Sequence, residues 1–295
     1  MFDIEKILKK SYPNENGLYY CLNEDSTKDR IKKVEIETYS VRAGDFKEKQ
    51  MLGLSSAEKK SINVLKTLNK NSTILELGCG NGRFGFYLMR AGYKVIESDI
   101  AKGTVEKVCE VARKNNIDNG AYIVTDAENL PFLNESLDAV YMVASLHHLP
   151  NPKKAIKEID RVLKPGGRLL ILREPASWQY ILFGPIYKIL RVILRRRNKN
   201  LFSHADDETK GFSKKSISIL LRGDFKDIDF MPVQYVEKCY LNYLILKTKL
   251  LKKEFKGSKA VFRFLQKIDL VIARIPLLKN FPWDWDVVAK KVTYR

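Results

Sequence analysis

Glu76, Gly78, Gly80 and Gly82 stand at alternate positions in the stretch Ile74-Leu-Glu-Leu-Gly-Cys-Gly-Asn-Gly82. Glycines at this spacing let a backbone lie directly against a ligand, because no Cβ intervenes. Gly80-Asn-Gly-Arg-Phe-Gly85 also matches G-x-G-x-x-G, and Asp99 lies 19 residues beyond Gly80, both compatible with a dinucleotide site. Glu76 argues against that ligand. A carboxylate two residues ahead of the first glycine would repel a pyrophosphate and suits an ammonium group. Further on, Asp126 offers a hydrogen-bond acceptor, and His147 and His148 offer groups able to take a proton near neutral pH.

These residues need elements that bring them together, and the hydrophobic pattern supplies them. Residues 73–77 read as a buried strand, 83–89 as a helix closed by Gly92, and 94–98 as a second strand ending in Asp99. The spacing of Val105, Val108, Val111 and Ala112 predicts a helix, followed by strands at 121–125 and 137–144. A helix over 153–163 and the turn Lys164-Pro-Gly-Gly167 lead into a strand at 168–173. Residues 225–233 and 286–294 read as the last two strands. Such alternation implies a doubly wound, mainly parallel sheet, whose ligands sit at the carboxyl ends of the strands. The glycine stretch, Asp99, Asp126 and both histidines all fall there. Residues 1–70 are expected to form an N-terminal helical cap, 71–175 the core, and 176–295 a C-terminal part with insertions at about 178–212 and 237–283. The charge cluster at 29–33 is expected to be a solvated face.

The core resembles the class I S-adenosylmethionine-dependent methyltransferases of the type-11 group. The resemblance covers roughly residues 60–175. It rests on Glu76-Leu-Gly-Cys-Gly-Asn-Gly82, on Asp99 closing the second strand, and on Asp126-Ala-Glu-Asn-Leu-Pro-Phe132. Leu137-Asp-Ala-Val, Leu146-His-His-Leu-Pro150 and Arg161-Val-Leu-Lys-Pro-Gly-Gly-Arg-Leu-Leu-Ile171 extend it in the same order. It implies an α/β, Rossmann-like sheet of seven strands with N-terminal helices and C-terminal amphipathic helical insertions. It implies S-adenosyl-L-methionine as cofactor, with Gly78, Gly80 and Gly82 against its methionine part and Glu76 holding its amino group. Asp99 would take the ribose hydroxyls, Asp126 the adenine amino group, and the Ala127 amide would meet the ring. The chain departs from the family pattern where Glu97 and Ala101 replace the usual Gly and Ser around Asp99. Glu97 is therefore a competing candidate for the ribose. For the acceptor side, His147 and His148 are the candidate bases, and Arg173 and Glu174, closing the fifth strand, the candidate substrate contacts.

Composition narrows the partners. The chain has 53 basic and 35 acidic residues, a net charge of +18. From Pro175 onward 25 bases face 11 acids, so most of the excess belongs to the C-terminal part. Four scattered cysteines without a C-x-x-C pair point to a reducing compartment and away from a disulfide framework or metal site. The first residues lack a signal-peptide layout, and no apolar run is long enough to span a bilayer, so the expected location is cytoplasmic. Residues 178–194 are strongly apolar, with Lys188, Arg191 and Arg195 on one helical face. Residues 240–251 and 259–275 repeat the theme, with Lys259, Arg263 and Lys267 at four-residue steps and Trp283 and Trp285 nearby. Three readings stay open for them: helices packed on the core, an anionic membrane surface met through 178–197 and 240–275, or nucleic acid. The aliphatic content favours a membrane over RNA. The expected acceptor is a small or lipid-linked molecule, handled at the inner membrane face.

Overall fold

A computed structural model describes residues 3–195, 210–251 and 257–293. In chain order, a hairpin of β1 (Asn14–Glu15) and β2 (Leu18–Tyr20) precedes helices α1 (Glu24–Lys28), α2 (Arg30–Ala43), α3 (Glu48–Met51) and α4 (Ser56–Ile62). The core follows as β3 (Thr73–Leu77), α5 (Arg83–Arg90), β4 (Lys94–Asp99), α6 (Lys102–Lys114), β5 (Gly120–Val124), β6 (Leu137–Val143), α7 (Pro152–Val162) and β7 (Leu163–Pro175). Beyond it come α8 (Ser177–Arg195), α9 (Lys214–Leu221), β8 (Phe225–Val233), α10 (Val236–Leu251), α11 (Lys259–Ile272) and β9 (Asp284–Lys291). The expected strand at 286–294 starts two residues earlier, and Tyr294 lies outside the described residues.

The sheet runs β1-β2-β5-β4-β3-β6-β7-β9-β8. From β2 to β7 every neighbour is parallel, and β9 and β8 close one edge antiparallel. Among the described residues nine strands replace the seven expected, because Asn16-Gly17 turns the N-terminal segment back on itself. Both residues have positive φ, 52° and 71°, which a two-residue hairpin turn requires. Leu18 then pairs with Tyr122 and extends the parallel sheet. Chain order reverses between β3 and β6, so the switch point opens at the carboxyl ends of those two strands.

Each face of the sheet buries its own core. Leu75, Ile96, Val140 and Ile171 pack with Ile156 and Ile159 of α7 and Ile217 and Leu221 of α9. Ile74, Val95, Tyr141 and Leu170 pack with Ile62 of α4, Phe86 of α5 and Val105 and Val108 of α6. Helix starts are capped by side chains: Asp29 accepts from Ile31 and Lys32, Ser55 and Glu58 form a capping box, and Asn151 accepts from Lys154 ahead of Pro152. The turn Lys164-Pro-Gly-Gly167 does not separate α7 from a strand as expected. β7 starts at Leu163, opposite Leu137, and the turn loops out before Arg168 pairs with Ala139. A second expectation changes at Trp285, which lies in the core rather than at an interface.

Candidate functional site

The carboxyl edge between β3 and β6 holds a cavity of about 170 Å³. Gly78 and Gly80 form its floor, with φ of 70° and 50° in the left-handed region that favours glycine. A Cβ added at Gly80 would meet nothing within 4 Å and would stand in open space. At Gly78 a Cβ would instead meet Ser145 at 2.8 Å, so the turn is packed at Gly78 and open to the cavity at Gly80. Gly82 lies outside the cavity lining and has a structural task. It caps α5, and a Cβ there would come within 2.7 Å of Val108.

Asp99 ends β4 at the cavity wall. Its Oδ2 accepts from the Gly80 N–H at 3.2 Å and its Oδ1 from the Ala101 N–H at 3.0 Å. Burial raises its pKa, and those amides offset part of the rise. Glu97, the competing candidate, does not line the cavity. It sits one pleat repeat, about 7 Å, below the strand end, fully buried under α5. A Cβ on Gly85 would fall 1.8 Å from its Oε1, so the last glycine of Gly80-Asn-Gly-Arg-Phe-Gly85 makes room for this acid. Glu76 is buried beside it and does not line the cavity. Its carboxylate accepts from the Gly85 N–H at 3.2 Å and the Tyr141 hydroxyl at 2.6 Å, bracing the glycine turn from beneath. Burial pushes the Glu76 carboxyl up to about 7, and burial with the neighbouring Glu76 charge holds Glu97 well above the usual range.

Asp126 and Ala127 line the cavity beside Asp99, just past β5, the strand that pairs with β4. Asp126 accepts from Lys32 Nζ at 2.7 Å and Ser26 Oγ at 2.6 Å, while Lys32 also reaches Glu128 at 2.9 Å. Lys32 is thus buried, the exception in a charge cluster at 29–33 whose Asp29, Arg30 and Lys33 are exposed as expected. Burial alone would lower the Lys32 pKa, but the two carboxylates more than offset it and the net direction is upward. Glu35 and Tyr39 lie one and two further turns along α2 and close the same cavity. Sequence reasoning missed all three. Their i, i+3, i+7 spacing marks one helix face, but only tertiary packing reveals that it covers the strand ends.

The two histidines divide. His148 lines the cavity, with Nδ1 3.2 Å from Glu35 Oε2 and Nε2 3.3 Å from the Tyr39 hydroxyl. His147 does not, and its Nδ1 lies 2.9 Å from Glu174 Oε2. Glu174, expected to face an acceptor, is fully buried and also accepts from the Leu146 N–H at 2.8 Å, so it braces the turn carrying the histidines. Arg173 is likewise absent from the lining. A bulge in β7 gives it φ of 58°, and its amide donates to Asp286 at 2.8 Å. A wider groove of about 690 Å³ between β2 and α6 contains none of the motif residues.

The arrangement brings a glycine turn, two carboxylates at the ends of adjacent strands and an imidazole beyond β6 to one cavity. Residues 75–171 match the family of methyltransferase domains. The 27-O-demethylrifamycin SV methyltransferase of Amycolatopsis mediterranei is 33% identical over 117 residues, 37% of this chain and 43% of that one. The phthiotriol/phenolphthiotriol dimycocerosates methyltransferase 1 of Mycobacterium ulcerans is 36% identical over 120 residues, 38% of this chain and 42% of that one. The chain therefore spans less than half the length of these relatives. Among solved structures, the phosphoethanolamine N-methyltransferase 2 of Haemonchus contortus in complex with S-adenosyl-L-methionine superposes with a TM-score of 0.54. Its identity is 16%, and the match covers 92% of this chain and 60% of that one, which speaks to the fold alone.

Proposed function

Residues 75–171 are a class I S-adenosylmethionine-dependent methyltransferase domain, and from that premise we propose that the chain transfers a methyl group from S-adenosyl-L-methionine to a small or lipid-linked acceptor. The observation that carries this reading is one cavity shared by the Gly78–Gly80 cradle, Asp99 and Asp126. Asp99 would accept the ribose hydroxyls and Asp126, with the Ala127 amide, the adenine edge. Glu76 and Gly82 act indirectly on this reading, by holding the turn. The bound cofactor would supply an activated methyl group on a sulfonium leaving group. What remains for the protein is alignment, exclusion of water and removal of any acceptor proton. His148 is the residue placed for that proton, and His147 with Glu174 supports its turn.

Relatives named for a rifamycin and for phthiotriol dimycocerosates support a small or lipid acceptor. A lipid-linked one would bring the enzyme to the inner membrane face, in contact through segments 178–197 and 240–275, of which 196–197 and 252–256 lie outside the described residues. RNA methylation and cofactor binding without turnover are the competing readings. Calorimetry with S-adenosylhomocysteine tests the core claim. Binding is expected in the wild type, abolished in Gly80→Arg and weakened about tenfold or more in Asp99→Ala, which loses two hydrogen bonds to a charged group. No binding to the wild type would refute it. Labelled cofactor incubated with a cell lysate then assigns the acceptor to the lipid, RNA or protein fraction.

A further inference from the structure

α8 and α11 each hold several apolar side chains outward, although Trp178 of α8 packs on the core. On α8, Ile181 is 81% exposed, Leu182 63% and Ile189 62%. On α11 and the segment after it, Phe264 is 62% exposed, Val271 60% and Leu277 71%. These two elements meet: Trp178 donates to the Pro282 carbonyl at 2.5 Å, and the rings of Phe183 and Trp283 stack 6.0 Å apart. The start of α8 is thus joined to residues 281–283, which follow α11. Aliphatic area of this kind in water signals a partner with an apolar interior.

Charge identifies that partner. Ser177–Arg195 contains no acidic residue at all. Across residues 257–283 the single acid is Asp269, buried and bonded to the Tyr235 and Val236 amides at 2.9 and 2.8 Å. Lys188, Arg263, Lys267, Arg274 and Lys279 are all exposed among the apolar residues. Among the described residues of these elements the face is thus aliphatic and basic with no outward carboxylate, which complements acyl chains below and lipid phosphates above. A phosphate backbone alone would match the bases but leave Ile181, Leu182 and Ile189 in water. Among the described residues no helix is long and apolar enough to cross a membrane, so the contact is with its surface.

Topology fixes the orientation. α8 leaves the end of β7, α10 leaves the end of β8, and residue 283 enters β9 opposite Pro175. All three roots lie on the carboxyl edge of the sheet, the edge that carries the cavity. We propose that the outward face of α8, α11 and residues 275–281 docks on an anionic lipid bilayer and turns the cavity edge toward it. A lipid-linked acceptor could then reach His148 without leaving the membrane; this step rests on the methyltransferase reading above.

Flotation of the full chain with phosphatidylcholine vesicles, with and without phosphatidylglycerol, tests the surface. The wild type is expected to float with the anionic vesicles, less with phosphatidylcholine alone, and less as salt rises. Ile181→Glu with Leu182→Glu, or Phe264→Glu with Val271→Glu, should lower the bound fraction at least about tenfold, the equivalent of withdrawing one apolar side chain from the interface. S-adenosylhomocysteine binding, measured on the same samples, should not change in either variant. The proposal fails if the wild type stays at the bottom with anionic vesicles. It also fails if the glutamate variants float equally well, or if the protein retards RNA in a gel while ignoring vesicles. Loss of S-adenosylhomocysteine binding by the wild type would instead refute the enzymatic reading, and the flotation result would stand by itself.

Discussion

Glu76 and Glu97 face one another across adjacent strands in register, both buried beneath α5. Among the described residues no hydrogen bond of normal geometry reaches either oxygen of Glu97. Two carboxyls so placed cannot both ionise at ordinary cost, so Glu97 retains a proton and Glu76 titrates near 7. The folded chain then binds more protons than the unfolded one once pH exceeds the ordinary carboxylate range. Stability must therefore fall as pH climbs from there through 7, by ~1.4 kcal/mol for each pH unit over which one extra proton stays bound. Glu97→Gln keeps the shape, can donate to Glu76 and removes one of the two acids. It should be more stable than the wild type at about pH 8, with the gain shrinking toward about pH 5. Urea unfolding midpoints at the two pH values decide this, and a variant less stable at the higher pH contradicts it. Position along the strand explains what could be read in advance here. Asp99 stands at the strand end and lines the cavity, whereas Glu97, two residues earlier and chemically equivalent, lies under a helix.

α2 shows where sequence pattern stops short of placement. Its amphipathicity is negligible to the eye, since charged and apolar residues mix along Arg30–Ala43. Yet Lys32, Glu35 and Tyr39 form one face, and that face shuts the cavity against Asp126 and His148. The Asn16-Gly17 hairpin was readable in principle from that dipeptide, whereas the β7 bulge at Arg173 depends on pairing with β9 that no local signal encodes. Lys32 links α2 to the core and neutralises two buried carboxylates at once. Lys32→Met should lower stability by about 3 kcal/mol, the usual cost of stranding buried charge. It should also weaken S-adenosylhomocysteine, because Asp126 loses the group that orients it. Urea denaturation followed by circular dichroism reads the first effect and calorimetry the second; unchanged affinity would place α2 outside the cofactor site.

At the scale of the molecule, the parallel core was legible because β3, β4 and β5 are short apolar runs closed by Gly78, Asp99 and Asp126. The C-terminal insertions were legible in composition but not in placement. Whether their apolar sides faced the core or the solvent depended on how β8 and β9 pair. That pairing makes the α10–α11 hairpin separable. Val233 already sits opposite Asp284, and the Trp283 amide donates to the Gln234 carbonyl at 2.8 Å. Residues 235–282 can therefore be replaced by an Asn-Gly turn without moving either strand. Lys238, which bridges the buried Asp284 at 3.0 Å, is lost with the hairpin, so the variant should also carry Asp284→Asn. Cooperative unfolding and wild-type affinity for S-adenosylhomocysteine are expected, since no residue of the hairpin lines the cavity. Flotation with anionic vesicles should drop, because α8 would keep only its own half of the docking face. A folded variant with weakened cofactor affinity would show that the hairpin shapes the site from a distance, and would merge the membrane-facing and catalytic parts into one unit.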